Sequence, residues 1–482
     1  MNISISRREA LGAMAAAGAS LVGTTTSRRA SAATDGGFAA RRPPLEKRCF
    51  TSRAVEGAIA AVKAKIADPE LAWMFENCYP NTLDTTVDFG ETDGKPDAFV
   101  ITGDIDAMWL RDSTAQVWPY LPYLRQDERL RRLVEGLVRR QAACIRLDPW
   151  ANAFYKDGSR QSHWASDRPE PIDGVHERKW EIDSLCYAVR LANAYLDQTG
   201  DASVFDPLWQ EAMRLVVQTF RIEQRKDGTT PYRFVRRTTA MLDAPPFEGT
   251  GNPVKPVGLV CSAFRPSDDS TLYPFLVPSN LFAVQSLRQL AAIFADHVGD
   301  AAFAAECMAL ADEVDAAIRQ YAILDHLDFG EIYAYEVDGF GNALFTDDAN
   351  VPSLMSLAYL GVCQTDDPLY QRTRRFLTSD SNPYFVRGTA ASGQASPHTG
   401  KERIWPMGII LRAMTSTSDA EIVECLASLK RTHAGTGFMH EAFHKDDPTD
   451  YTRDWFAWAN TLFGELVVKI HAERPELLAR TY

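Results

Sequence analysis

The chain has 482 residues, is 45% hydrophobic and carries a formal net charge of −13. That composition excludes disorder and a disulfide scaffold. The acidic balance, with no evident basic face, argues against a nucleic-acid partner. No stretch is long and apolar enough to span a bilayer.

The first 32 residues read as a sorting address. Ser6-Arg7-Arg8-Glu9-Ala10-Leu11 resembles a twin-arginine signal, a short Ala- and Gly-rich apolar run follows, and Ala30-Ser31-Ala32 supplies a small-residue cleavage site. This predicts export to the periplasm or the extracellular space. Residues 33–48, rich in Gly, Ala, Arg and Pro, read as a disordered leader, and 49–482 as a single catalytic domain. The eight cysteines are scattered, with no C-x-x-C pair and no zinc spacing. They read as small buried hydrophobes that leave room for one or two disulfides.

From residue 49 one pattern recurs. A loop of polar and aromatic residues leads into a helix that is apolar on nearly every side, and a more amphipathic helix follows. The all-round apolar helices begin near Asp112, Ile182, Ser279, Pro352, Trp405 and Trp455. The amphipathic partners fall near 52–67, 127–146, 203–224, 301–320, 367–377 and 419–431. A helix apolar all round is buried all round. Six such helices alternating with six amphipathic ones predict an all-α (α/α)6 toroid, an inner ring inside an outer one. Minor strands are expected in the loops, for example over Tyr232–Val235 and Ile332–Val337. An α-solenoid is the alternative, but no fixed repeat is visible. In a toroid the loops entering the inner helices gather at one end, where a pocket would form.

Glycosidic bonds are cleaved by paired carboxyl groups, so Asp and Glu beside aromatics at these junctions are the candidates. Asp104, Asp106, Trp109, Arg111 and Asp112 form one cluster. Arg beside Asp can hold vicinal hydroxyls and Trp109 can stack on a sugar face, although Asp112 could simply cap its helix. Trp180, Glu181 and Asp183 form a second. Glu181 and Asp183 are two apart, so they diverge at a helix start, and only one faces a pocket easily. The third is Gly437-Phe438-Met439-His440-Glu441-Ala442-Phe443-His444, a carboxylate between Phe and His in a Gly-flanked loop. It matches H-E-x-x-H letter for letter. A zinc peptidase would need that motif inside a helix and a third ligand downstream, whereas this segment reads as a loop. Rim clusters at Asp268–Pro274, Pro278-Ser279-Asn280, Asp348-Ala349-Asn350, Arg403-Ile404-Trp405-Pro406 and Arg453-Asp454-Trp455 either line the pocket or cap their helices, and His163-Trp164 could form a rim wall.

The strings GDIDAMWLRDSTAQVWPY, KWEIDSLCYA, PSNLFAV, IWPMG, GFMHEAFH and DWFAWANTLFGEL together resemble glycoside hydrolase family 125, the exo-acting α-1,6-mannosidases. The resemblance runs from about residue 50 to the C-terminus. It implies an (α/α)6 fold, inversion at the anomeric carbon, and no metal or other cofactor. It also implies general acid Asp183 and general base Glu441, with the Met108–Asp112 segment binding substrate. On this reading Asp104, Asp106, Trp109, Arg111, Asp112, Trp180, Glu181, Asn280, Trp405, His440, Arg453 and Asp454 surround a mannose-containing oligosaccharide or N-glycan in a monomeric enzyme. Other (α/α)6 glycosidases, a zinc metallopeptidase and a non-catalytic glycan-binding protein are the alternatives.

Overall fold

The structure, a computed structural model, describes residues 38–482. The signal expected at 1–32 lies outside the described residues. The segment 39–48, assigned by composition to a disordered leader, is instead pinned to the domain. Arg42 bridges Asp84 and Glu56, with Nε 2.7 Å from Asp84 Oδ2 and Nη1 2.9 Å from Glu56 Oε2, and the Trp73 indole donates to the Ala39 carbonyl at 2.7 Å.

All six amphipathic helices form, as Arg53–Lys63, Glu128–Leu147, Pro207–Glu223, Ala301–Tyr321, Pro368–Leu377 and Asp419–Thr432. Each starts at a Ser or Asp whose side chain accepts a backbone N–H of the first turn: Ser52, Asp127, Asp206, Asp300, Asp367 and Ser418.

The inner helices are launched differently. Leu110–Val117, Ile182–Thr199, Val277–Ile293, Pro406–Met414 and Ala457–Glu473 have no side-chain cap at their N-termini. Neighbouring segments satisfy the first N–H instead. Leu110 donates to Asn152 O at 3.1 Å, Val277 to Tyr335 O at 2.8 Å and Ala457 to Thr102 O at 3.1 Å. Ile182 donates to Ser262 Oγ at 3.2 Å, and Pro406 has no N–H to satisfy. The carboxylates of the inner first turns are thereby freed from capping.

Leu110–Val117 packs on Ile182–Thr199, which packs on Val277–Ile293. Pro406–Met414 packs on Ala457–Glu473, which returns to Leu110–Val117. The fourth inner position, expected as a helix from Pro352, is a run of turns over 351–363. Ser353 and Ser356 bond each other's backbone, and the Asp347 carboxylate takes the N–H groups of Leu354 and Met355. These local side-chain bonds compete with the helical ladder. The turns still close the ring: Tyr187 donates to Val351 O at 3.1 Å, and Thr415 Oγ1 lies 3.7 Å from Met355 Sδ. The molecule is an (α/α)6 toroid with one irregular member. Two short helices that the pattern did not announce, Pro69–Cys78 and Asn81–Thr85, pack on Ala457–Glu473.

The strands are more extensive than expected. Phe385–Arg387, Ser392–Ser396, Gly400–Ile404, Ala442–His444 and Asp447–Thr452 form one antiparallel sheet in that order, with Ala442 opposite Thr452. This sheet joins the segments entering the last two inner helices. Strand is present at Gly330–Tyr333 and Glu336–Val337, whereas over 232–235 there is a single bridge, between Val235 and Arg168.

Candidate active site

Where the inner helices begin, a narrow cavity of about 50 Å³ is lined by side chains from most of the loops feeding the ring. At roughly 10–15 Å³ per water it holds a few water molecules, the footprint of one small ring rather than a chain. Trp109, Arg111, Asp112, Trp405, Glu441 and Arg453 line it, as the sequence predicts, and Asp268, Asn350, His398, Phe456 and Trp458 line it too.

Glu441 sits between the Gly437 loop and the strand Ala442–His444. Its Oε2 accepts from Thr452 Oγ1 at 3.0 Å and its Oε1 lies 3.4 Å from Arg453 Nη1. Arg453 is a left-handed residue (φ 53°) at the end of the partner strand, and its guanidinium is forked onto Asp104, with Nε 2.9 Å from Oδ1. Asp104 therefore acts at the rim through Arg453. The two loops meet because Gly103 has φ 130°: a Cβ there would stand 2.6 Å from Trp455 O.

The opposite wall is an acid cluster around Arg111. Its Nη1 bonds Glu181 Oε2 at 2.6 Å and Asp183 Oδ2 at 3.0 Å, and its Nη2 reaches Asp268 Oδ1 at 3.5 Å. Glu181 and Asp183 are fully buried and do not line the cavity. Asp183 is held from its other side by Ser279 Oγ at 3.5 Å. Asp268 does line the cavity, on a left-handed turn (φ 67°). Asn152 Nδ2 also addresses Asp268 Oδ1, at 3.2 Å, and Lys179 Nζ grips the Asp268 carbonyl at 2.8 Å. The position expected to supply the pocket's second carboxyl group, Asp183, is thus occupied by Asp268. Asp183 is a buried ligand of Arg111 in the first turn of a helix that is buried from Ile182 through Ala192.

Burial raises the carboxyl groups of Asp183 and Glu181, Glu181 well above the ordinary carboxylate range, against the opposing charge of Arg111. Burial also pushes up Asp268, but Lys179, Arg111 and a hydrogen bond from Glu181 outweigh it and hold Asp268 well below that range. Glu181 Oε1 has no donor of its own, as befits the protonated partner of that acid pair. Burial likewise lifts Asp112 to about 6 despite Arg111. His398 is a further cation of this wall. Its burial is outweighed by the bond to Asp269 (Nδ1 to Oδ1, 3.2 Å), and its value rises to about 9.

Other predicted site residues are placed elsewhere. Trp180 is core, its indole donating to Cys261 O at 2.7 Å. Asn280 clamps both backbone groups of Val260, at 2.8 and 2.9 Å. Asp106 is exposed and paired with Arg160, and Asp454 is exposed beyond the cavity. His440 stacks on Tyr451 with ring centroids 3.6 Å apart, and its two ring nitrogens meet Arg453 O and Thr436 Oγ1. Burial lowers its value and keeps it neutral, so Arg453 rather than His440 supplies the positive charge beside Glu441. The H-E-x-x-H letters run from a loop into a strand, and His440 is fully engaged, so the motif lacks the helical geometry of a zinc peptidase. All eight cysteines are free thiols.

Asp268 stands in a string, Ser267-Asp268-Asp269-Ser270, that the polar-aromatic pattern does mark as rim, without distinguishing it from the other rim clusters. His398 stands in Ser396-Pro397-His398-Thr399, between two strands, with no signal in its neighbours.

A profile of the metal-independent α-mannosidases (GH125) matches residues 68–468. The Meiotically up-regulated gene 157 protein of Schizosaccharomyces pombe is 39% identical over 458 residues, covering 91% of this chain and 90% of its own. The metal-independent α-mannosidase of Streptococcus pneumoniae, solved in a non-productive complex with α-1,6-mannobiose, superposes with a TM-score of 0.84 at 42% identity, covering 88% of this chain and 100% of that one. With its toroid, its carboxyl-lined cavity and these matches, this chain belongs to the metal-independent α-mannosidases of glycoside hydrolase family 125.

Proposed function

We propose that this protein is an exo-acting, inverting α-mannosidase that releases terminal mannose from α-1,6-linked mannosides or N-glycan fragments, with Asp268 as general acid and Glu441 as general base. The observation that carries this is one narrow cavity with Asp268 on one wall and Glu441 on another, each held by different partners. The α-1,6-mannobiose bound by the pneumococcal relative supports the substrate class, and the small cavity supports removal of one terminal unit. We propose that the expected acid role of Asp183 falls to Asp268, because Asp183 has no access to the cavity.

Glu441 takes a proton from a water whose oxygen attacks C1 of the mannosyl unit. The C1–O bond to the aglycone breaks, and Asp268 gives its proton to the departing oxygen. The products are β-mannose and the shortened glycan, and proton exchange with solvent resets both groups. In the free cavity the acid pair holds its proton on Glu181. Substrate that displaces water from Asp268 removes the hydration of that carboxylate and draws the proton across the pair. Trp109, Trp405 and Trp458 supply apolar faces to the sugar. Arg7-Arg8 and Ala30-Ser31-Ala32 support export by the twin-arginine route, which carries folded chains.

A substrate with an acidic phenol as leaving group needs no protonation. Asp268→Asn should therefore lose at least about a hundredfold in kcat on α-1,6-mannobiose yet keep most of its rate on dinitrophenyl α-mannoside, whereas Glu441→Gln should lose both. If Asp183→Asn, and not Asp268→Asn, shows this selective loss, the acid assignment is wrong. Proton NMR should show β-mannose first, and initial α-mannose would exclude inversion.

A further inference from the structure

Asn350 and His398 both line the catalytic cavity, yet they come from separate segments. Asn350 stands just before the run of turns over 351–363 that fills the fourth position of the ring. His398 lies in the short connection between the strands Ser392–Ser396 and Gly400–Ile404. One buried carboxylate joins the two. Asp348, 1% exposed, takes Asn350 on Oδ1, from the backbone N–H at 3.1 Å and from Nδ2 at 3.0 Å. Its Oδ2 accepts from Ser396 Oγ at 3.1 Å, and that hydroxyl accepts the His398 N–H at 3.3 Å. The far side of the connection is fixed by Thr399 Oγ1, which accepts from Trp405 Nε1 at 2.8 Å.

These bonds settle which atoms are left for a ligand. A carboxylate only accepts, so Asn350 turns Nδ2 to Asp348, and Oδ1, an acceptor, is the atom left for the cavity that Asn350 lines. His398 spends Nδ1 on Asp269 Oδ1 at 3.2 Å. Its side chain keeps 37% of its surface open, and Nε2 is the nitrogen left for the cavity. Desolvation opposes the charge of this ring, but the bond to Asp269 and the nearby Glu441 and Asp268 outweigh it, so the ring is protonated and Nε2 carries a donor. A donor and an acceptor held by one carboxylate match a pair of sugar hydroxyls, each of which both donates and accepts. We propose that Asp348 is a positioning residue that sets Asn350 Oδ1 and His398 Nε2 to take two hydroxyls of the terminal sugar, which makes this pair a determinant of specificity. That the sugar is mannose rests on the mannosidase reading. A site built to hydrogen-bond a hydroxyl rejects the analogue that lacks it, because its own polar groups are then left unpaired.

Dinitrophenyl α-mannoside and its 2-, 3-, 4- and 6-deoxy analogues test this. The readout is the ratio of wild-type to variant kcat/KM on each substrate, in which the intrinsic reactivity of the analogue cancels. His398→Ala and Asn350→Ala should each lose at least about tenfold on the parent. Each loss should shrink to less than about threefold on one analogue, the one without the hydroxyl that the deleted group takes, and that analogue should differ between the two variants. Asp348→Ala should lose on the parent and lose less on both of those analogues. Ser396→Ala, a smaller change that frees only the His398 segment, should lose less on the His398 analogue alone, and it carries the test if Asp348→Ala does not fold. An equal loss on all the substrates, in Asp348→Ala or in Ser396→Ala, would mark Asp348 as merely structural and overturn the proposal. So would a loss in His398→Ala or Asn350→Ala that is the same on every analogue. A wild-type protein that leaves the parent mannoside uncleaved overturns the mannosidase reading and the proposal with it.

Discussion

Arg111 and Lys179 face four acidic side chains, Asp112, Glu181, Asp183 and Asp268, in a wall largely closed to water. Keeping all four of these carboxyl groups ionised where desolvation is costly is unfavourable, so the cluster retains protons. Burial decides where they rest. Glu181, without solvent and with one oxygen unpaired, keeps its proton, and Asp268, nearest Lys179 and partly open to the cavity, gives its own up. The consequence is a pH profile. With Glu181 raised, the pair keeps its proton above the ordinary carboxylate range and loses it as pH rises through the raised Glu181 value, which places the alkaline limb of kcat there. In Glu181→Gln, Asp268 is left with Lys179 and Arg111, which favour its anion, so the limb should move to lower pH by more than about one unit. KM should change less than about threefold, because Glu181 does not reach the cavity. A limb that stays in place would show that Glu181 only supports Arg111.

The elements differ in how plainly they are written. The outer helices carry both their apolar stripe and their cap in consecutive residues, and all six formed where the pattern placed them. The fourth inner helix carried the apolar run but also Ser353, Ser356 and Asp347, whose side chains capture the backbone, so composition alone overstates it. The five-stranded sheet pairs segments some 40 residues apart, Gly400–Ile404 with Ala442–His444, and no local periodicity announces such pairing. Yet this sheet sets Glu441 opposite Thr452 and Arg453. Its approach to the Asp104 loop depends on Gly103. Gly103→Ala meets Trp455 O at 2.6 Å in a left-handed backbone, at a cost of about 1–3 kcal/mol. It should lower the melting temperature and, by shifting Arg453 from Glu441, reduce kcat/KM at least about tenfold. An unchanged kcat/KM in folded protein would detach the loop contact from the base.

For the whole molecule, the segment 39–48 works as a strap. Arg42 is buried with 6% of its side chain exposed, against Asp84 with 2%. Removing one partner of such a pair leaves a buried charge uncompensated, at about 3–5 kcal/mol. Deleting residues 1–32 should therefore leave the melting temperature of the domain unchanged, while deleting 1–48 should lower it by several degrees. Equal melting temperatures would show that the strap adds nothing. The strap was hidden in the sequence because Ala, Arg and Pro suit a leader as well as a pinned coil; what distinguishes them is Asp84, which lies 42 positions on from Arg42.

The toroid was legible in the chain, because the alternation of all-round and one-sided apolar helices has few ways to bury itself. So was the family, because six motifs stand in order, and Glu441 was legible as a candidate, because a carboxylate between Phe and His is an odd choice for a solvated turn. Tertiary structure decided which carboxyl groups meet in the cavity. Asp183 and Asp268 both stand in plausible strings and both reach Arg111, but only the packing of the ring buries Asp183 and opens Asp268 to the cavity that Glu441 also lines. The side of a junction on which a carboxylate emerges is set by what its neighbours must bury, and that is a property of the closed ring rather than of any one segment.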